Sequence, residues 1–353
     1  MLSRVADSIF WMSRYIERAE NVARFIDVNL NLTLDLGSSG LDGQWAPLIF
    51  ITGDEKPFKE RYGDSFTQEK VIEFLTSDQK NPNSILSCLR QARENARAVR
   101  DMISSAMWEE INKFFLLVRR AADDKSFLQA SFDFFHSVKW SSHLVQGITD
   151  ATMSHNEAWH FVRMARLLER ADKTSRILDV KYFVLLPTLA DVGTPLDTIQ
   201  WAALLKSASA LEMYRKIHGR ITPMQVADFL MLDREFARAM HFCLIKAEES
   251  LLAITGSHSG TFRNVAEQRL GRLRAELDYA QINEVIDEGL HEFIDRFQVK
   301  LIEVGEAIAE TFFGVNPAPQ PSRQRDKANG QAQSLWQKST PAEPASPTLG
   351  GTA

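Results

Sequence analysis

Residues 14–28 read Arg14-Tyr15-Ile16-Glu17-Arg18-Ala19-Glu20-Asn21-Val22-Ala23-Arg24-Phe25-Ile26-Asp27-Val28, and residues 166–180 read Arg166-Leu167-Leu168-Glu169-Arg170-Ala171-Asp172-Lys173-Thr174-Ser175-Arg176-Ile177-Leu178-Asp179-Val180. The Arg, the Glu-Arg-Ala, an acid, a second Arg and Asp-Val recur in the same order 152 positions apart, counted from Glu17 to Glu169, and Met12 answers Met164. A charged pattern repeated this closely points to an internal duplication. The echo continues as the separation drifts to 155 or 156: Trp45-Ala46-x-Leu48 returns as Trp201-Ala202-x-Leu204, Val71-x-x-Phe74-Leu75-x-x-Asp78 as Val226-x-x-Phe229-Leu230-x-x-Asp233, and Cys88-Leu89-x-x-Ala92 as Cys243-Leu244-x-x-Ala247.

Each half, 1–150 and 151–315, has the length of one domain. No Gly-, Pro- or Ser-rich linker separates them, and the joint near Asp150 to Asn156 reads as a helix start capped by Ser154 or Asn156. The two halves are therefore expected to share one core over residues 1–315. Apolar residues recur at spacings of three and four over 5–34, 84–120, 127–149, 157–186, 198–217, 233–254, 262–279 and 282–313. Strand-like alternation is nearly absent, and Pro and Gly fall between the periodic stretches, with Thr222-Pro223 set to open a helix. The expected fold is an all-α bundle of two pseudo-equivalent halves, about six helices each. From Asn316 the chain turns to Pro, Gln, Ser, Ala and Gly, a composition that buries too little to offset ordering entropy. Residues 316–353 are expected to be a disordered tail.

Projected at about 100° per residue, Met12, Tyr15, Ile16, Ala19, Val22, Ala23, Ile26 and Leu30 share one face of the first repeated helix. Arg14, Glu17, Arg18, Asn21 and Arg24 lie opposite, beside Phe10, Phe25 and Val28, which a solvated face does not require. The second copy sets Arg166, Glu169, Arg170 and Arg176 opposite Met164, Leu167, Leu168, Ala171 and Leu178 in the same way. Both faces of both helices are expected to be covered. The charges then form either a buried ion-pair network, costly to break, or a site in which paired arginines hold a carboxylate or phosphate. Two further groups are candidates for the same purpose. Arg93, Arg97 and Arg100 continue from Arg90 along one helix face, with Glu94 alongside, and Asp233-Arg234-Glu235 precedes Arg238 by one turn.

Composition narrows the function classes. The 353 residues are 44% hydrophobic and 25% charged, with formal net charge −5, which supplies a sizeable core and argues against a general nucleic-acid binder. Cys88 and Cys243 occupy matching positions in apolar surroundings, so they read as two inherited small residues in a reducing cytoplasm rather than a disulfide. No secretory signal and no membrane-spanning apolar run is visible. Neither nucleotide-binding glycine motif occurs, and Gly256-Ser257-His258-Ser259-Gly260 reads as an ordinary connector. The tryptophans and the Phe132 to Phe135 run read as packing; Phe114 to Val118 reads as buried, with a homo-oligomer contact as the alternative.

Several separated motifs add a resemblance. Leu2-Ser3-Arg4-Val5-Ala6-Asp7-Ser8, Tyr15 to Asn21, Arg93-Glu94-Asn95-Ala96-Arg97, Met107-Trp108-Glu109, His155-Asn156-Glu157-Ala158-Trp159, Leu168 to Asp172 and Leu232-Asp233-Arg234-Glu235-Phe236 together resemble the bacterial α-E family, an all-helical group named for its Glu-Arg motif. The likeness spans about residues 1–313. It implies partnership with an ATP-grasp protein resembling amide-bond ligases, and with a transglutaminase-like protein. Glu17, Arg18, Glu169 and Arg170 carry over as family markers, not as established catalytic groups.

Three readings follow. The first is a non-catalytic partner or substrate-holding subunit of an ATP-grasp amide or peptide ligase, with no cofactor of its own. The second is an enzyme using Glu17 or Glu169 as a base in peptide synthesis or modification, although an adjacent arginine lowers a carboxylate's basicity. The third is a carboxylate-bridged metal bundle on two Glu-x-x-His spacings, Glu157 with His160 and Glu288 with His291.

Overall fold

The computed structural model describes residues 1–36, 45–184 and 195–314. The tail expected over 316–353 lies outside these. Among the described residues every regular element is helical.

Two long helices form the axis of the molecule: α1 (Ser3–Leu36) and, after seven shorter elements, α9 (Glu157–Val184). They pack on each other. Between them run α2 (Ala46–Thr52), α3 (Glu55–Tyr62), α4 (Gln68–Thr76), α5 (Ile85–Ala98), α6 (Ser105–Asp123), α7 (Ser126–Gln129) and α8 (Ser131–Thr152). After α9 come α10 (Pro195–Ser207), α11 (Leu211–Ile217), α12 (Pro223–Leu232), α13 (Met240–Thr255), α14 (Val265–Tyr279), α15 (Ile282–Glu288) and α16 (Leu290–Ile308), which ends in a π-helical turn, Ala309–Phe313. Residues Met1–Val315 make one compact unit.

The packing follows one scheme on both sides of the axis. Helix α1 is flanked by α5 and α8, with α6 bridging those two; α9 is flanked by α13 and α16, with α14 bridging. The short helices cross over, α2 lying on α9 and α10 on α1.

Local signals explain where the elements start and stop. Thr67, Ser84, Ser104, Thr222 and Asn264 each accept a backbone N–H from three residues on, satisfying a donor that the first helical turn leaves free. At α14 the cap is reciprocal, because the Glu267 carboxylate reaches back to the Arg263 N–H at 2.7 Å. Three of the expected long spans are broken for identifiable reasons. The stretch 84–120 turns after Ala98 and restarts behind the Ser104 cap. The stretch 198–217 breaks at Ser209, whose φ of 50° lies in the left-handed region, and 282–313 breaks at Gly289, with φ of 113°. The segment 46–76, where no long period is legible, folds into three short helices.

Burial runs all round the axis helices. Met12, Ile16, Ala19, Val22 and Ile26 are buried on one side of α1; Phe10, Glu17, Glu20, Asn21, Arg24 and Phe25 are buried on the other. On α9, Met164, Leu168 and Ala171 are buried together with Glu169, Arg170, Asp172, Lys173 and Arg176. Charged groups withdrawn from water must be paired, so the geometry of these side chains governs the rest of the molecule.

Candidate functional site

The two Glu-Arg pairs bind each other reciprocally across the α1–α9 interface. Arg18 on α1 donates Nε to Glu169 Oε1 at 2.7 Å and Nη2 to Oε2 at 3.1 Å. Arg170 on α9 donates Nε to Glu17 Oε1 at 2.8 Å and Nη2 to Oε2 at 3.0 Å. Each is a two-pronged contact of the kind that a planar guanidinium makes with a carboxylate. Both glutamate side chains are fully buried.

Further donors complete each carboxylate. Arg14 Nε lies 2.7 Å from Glu169 Oε2, and Lys173 Nζ lies 3.5 Å from Oε1. Burial alone would raise the Glu169 carboxyl, but Arg18, then Arg14 and Lys173, outweigh it and hold the group well below the ordinary carboxylate range. Glu17 receives Arg238 Nη1 at 3.3 Å and Asn21 Nδ2 at 3.2 Å. The spare prongs are also used: Arg18 Nη1 donates to Asn83 Oδ1 at 3.0 Å, and Arg170 Nη1 to the Ala237 carbonyl at 3.3 Å.

A second tier extends along the helices. Arg24 donates Nε and Nη2 to Glu20 Oε1 at 2.8 and 2.7 Å, and Arg176 donates Nε to Asp172 Oδ2 at 2.9 Å, both pairs one turn apart. Glu20 also accepts Arg238 Nη2 at 2.5 Å and the Ser142 hydroxyl at 2.8 Å. Burial opposes ionisation of Glu20 and of Asp172; Arg238 with His143 and Arg24 overcomes it at the first, Arg176 with Lys173 at the second, so both carboxyls sit well below their usual values. Farther out, Lys139 on α8 pairs with Asp27 at 2.6 Å, and His291 on α16 pairs with Asp179 at 2.5 Å. Eight cations, Arg14, Arg18, Arg24, Arg166, Arg170, Lys173, Arg176 and Arg238, thus stand around four carboxylates, Glu17, Glu20, Glu169 and Asp172.

Arg14, Glu17, Arg18, Arg24, Glu169, Arg170 and Arg176 therefore belong to one lattice. Arg166 borders it with its Nε buried and without a hydrogen-bond partner among protein atoms; burial first, then repulsion from Arg170, pushes its guanidinium down. A cavity of about 20 Å³ lies beside Glu17 and Arg166, whereas a shallow groove of about 540 Å³ between α6 and α8, bordered by Lys113, Leu117, Arg120 and Phe134, lies elsewhere on the unit.

The remaining candidates are placed apart. Arg93 donates to Asn112 at 2.7 Å and Glu94 at 2.9 Å, and its guanidinium lies over Trp108 and Phe115; Arg100 lies over Trp108 and Arg97 pairs with Glu94. This stripe serves the α5–α6 contact. Asp233 Oδ1 accepts the N–H groups of Glu235 and Phe236, Arg234 pairs with Asp278, and Glu235 is exposed. Of the metal-type pairs, Glu157 binds the terminal ammonium of Met1, Glu288 binds Arg296 and His291 binds Asp179, while burial lowers the His160 imidazole. Among the described residues no three His, Cys, Asp or Glu side chains come together as a metal requires.

Sequence reasoning passed over Glu20, Asp172, Lys173 and Asn83 as members, and it placed Arg238 with Asp233-Arg234-Glu235, the group from which the fold separates it. Glu20 and Asp172 carried a usable signal, an acid repeated at one position with an arginine four residues on. Asn83 carried none, and the approach of Arg238 to the axis helices exists only in the folded chain.

Comparison with known proteins adds lineage. A profile described as Alpha-E, "a predicted alpha-helical domain with a conserved ER motif", matches residues 1–313. An uncharacterised protein of Mycobacterium bovis is 24% identical over 348 residues, an alignment covering 90% of this chain and 38% of the relative. Uncharacterised proteins of two Mycobacterium tuberculosis strains match over the same span at 24% and 23% identity. The chain thus spans about two fifths of the length of these relatives, 38%. No solved structure matches.

Proposed function

The chain belongs to the Alpha-E family, and from that premise we propose that it is a non-catalytic helical module, a partner or substrate-holding subunit of an ATP-grasp ligase that builds or modifies amide bonds in the cytoplasm. One observation carries the reading: the Glu-Arg motif is consumed internally. Each motif glutamate is saturated by two-pronged arginine contacts, and the cavity that adjoins Glu17 measures about 20 Å³. A general base must be free to take a proton near the operating pH. Glu169, held well below the carboxylate range by Arg18, is a poor one.

With the motif engaged in holding α1 to α9, recognition falls to the outer helices. The mycobacterial relatives favour a module of this kind, since the matched region is joined there to a longer polypeptide. We take the module to be one domain over 1–315, built from a duplicated unit with halves 1–150 and 151–315. The reciprocal pairs Arg18–Glu169 and Arg170–Glu17, and the matching outer pairs Asp27–Lys139 and Asp179–His291, support that origin.

The test is co-purification with an ATP-grasp ligase encoded beside the protein, with amide formation measured with and without it. A stable complex that changes the ligase rate at least several-fold is the expected result. Unaltered ligase activity together with no complex at micromolar concentration refutes the reading. Turnover of amide, peptide or phosphoryl substrates by the protein alone, lost in Glu169→Gln with the fold intact, would replace it with the enzyme reading.

A further inference from the structure

The two motif glutamates are satisfied differently, and the difference leaves one arginine over. Cys88 Sγ contacts the Pro82 carbonyl and Cys243 Sγ the Ala237 carbonyl, each at 3.7 Å, so the next residues, Asn83 and Arg238, hold corresponding places. On the Glu169 side that place is neutral, and Arg14 binds the carboxylate directly at 2.7 Å. On the Glu17 side Arg238 takes the carboxylate. Arg166, the counterpart of Arg14, is displaced and keeps a buried Nε without a protein partner.

Arg166 lines a cavity of about 20 Å³ together with Glu17, Gln146, Ser13 and Thr149. A volume of about one water molecule excludes phosphate, sulfate and carboxylates. The choice narrows to water or a single-atom ion, and the unpartnered donor on Arg166 with the surrounding positive charge favours the ion. The Ser13 and Thr149 hydroxyls already donate to the carbonyls of Val162 and Val145, and both Glu17 oxygens already accept from Arg170. The donors left are Arg166 Nε, and Gln146 Nε2, whose contacts to Glu17, Glu20 and Ser142 are long at 3.3–3.4 Å, while the two hydroxyl oxygens keep lone pairs that a water would use. The surrounding charge is positive. Arg24, Arg166, Arg170 and Arg238 surround two carboxylates, Glu17 and Glu20.

We propose that this cavity is a binding site for one monatomic anion of the halide class, held by Arg166 Nε and Gln146 Nε2. The anion gives the displaced arginine the partner that Glu169 gives Arg14, and it offsets part of the cation excess inside the lattice.

Crystals of the full chain grown in sodium bromide should show an anomalous peak in the cavity within hydrogen-bonding reach of Arg166 Nε. In solution, bromide at saturating concentration should raise Tm by about 4 °C over sodium gluconate at equal ionic strength. Arg166→Met should abolish that difference, and Arg166→Gln, neutral but still a donor, should reduce it. A cavity that holds only water, with no anomalous signal and equal melting in the two salts, overturns the proposal. So does a bromide-specific rise that survives Arg166→Met. If neither variant folds, the anomalous peak in the wild-type chain decides by its presence or absence.

Discussion

Replacing Glu17 by Gln keeps the side chain's shape and removes its charge, leaving Arg170 and Arg238 facing one another. Their side chains are only 9% and 8% exposed, so water compensates them poorly. Removing one partner of a buried pair costs about 3–5 kcal/mol, and Glu17→Gln belongs at the upper end, about 4–5 kcal/mol. Glu169→Gln should cost less, about 3 kcal/mol by the same rule, because Arg14 and Arg18 are 18% and 17% exposed and reach solvent. Urea unfolding monitored by circular dichroism gives both values, provided that the dependence on urea is unchanged between variants. The matching cycle of Glu17→Gln with Arg170→Met should return a coupling of about 2–3 kcal/mol. Losses below about 1 kcal/mol for both glutamates would place them with exposed surface pairs and refute the buried-clamp reasoning. A larger loss at Glu169 than at Glu17 would refute the ranking by burial.

Acid should unfold the protein by releasing the same clamp: Glu169, Glu20 and Asp172 titrate below their unfolded-state values, so the stability they add is complete above about pH 4.5 and lost as pH falls, which a Tm series from pH 7 to 3 will show. The opposite sign holds for His291, whose imidazole is raised by the hydrogen bond it donates to Asp179; its contribution is complete below about pH 6.5 and fades as pH rises through the folded-state value, and Tm measured from pH 6 to 9 should lose that alkaline decline in His291→Gln. Ser209 holds a left-handed backbone while its hydroxyl contacts the Arg24 guanidinium. Ser209→Ala keeps the strain and loses a charged hydrogen bond, about 2 kcal/mol; Ser209→Gly also relieves about 1 kcal/mol of strain, so chemical denaturation should rank Ala below Gly; the reverse order would exclude the left-handed strain, and no loss in Ser209→Ala would exclude the Arg24 contact as a stabilising element. Burial raises the Cys88 and Cys243 thiols to about 12, so neither should react with a thiol reagent at pH 8 until denaturant is added, whereas rapid native labelling would contradict the burial.

The helical class was legible because apolar residues keep a helical period through the long elements, and α1 and α9 could be placed within a few residues. What could not be read were the breaks. Ser209 in the left-handed region looks like any helical serine until the turn is seen, and α2 to α4 are too short to show a period. The charged face of α1 could be identified by projection, since Phe10 and Phe25 share it. Its partners could not, because Arg238 and Asn83 approach from turns outside the axis helices and the pairing of Arg18 with Glu169 spans 151 positions. Local spacing records which side chains share a helix face, and only the tertiary arrangement assigns the opposite charge.

The exchange of Arg18 and Arg170 between α1 and α9 also sets an order of events during synthesis. Helix α1 leaves the ribosome with Glu17 and Glu20 on a face meant for the interior, and Arg170 follows only 153 positions after Glu17. At ordinary elongation rates that interval is roughly 8 to 30 s. Over that time the nascent first half carries unmatched charges where its core should be. Completion of the first helix therefore waits on the ninth, and a ribosome stalled before Arg170 should present a chain that proteases cut readily and chaperones retain.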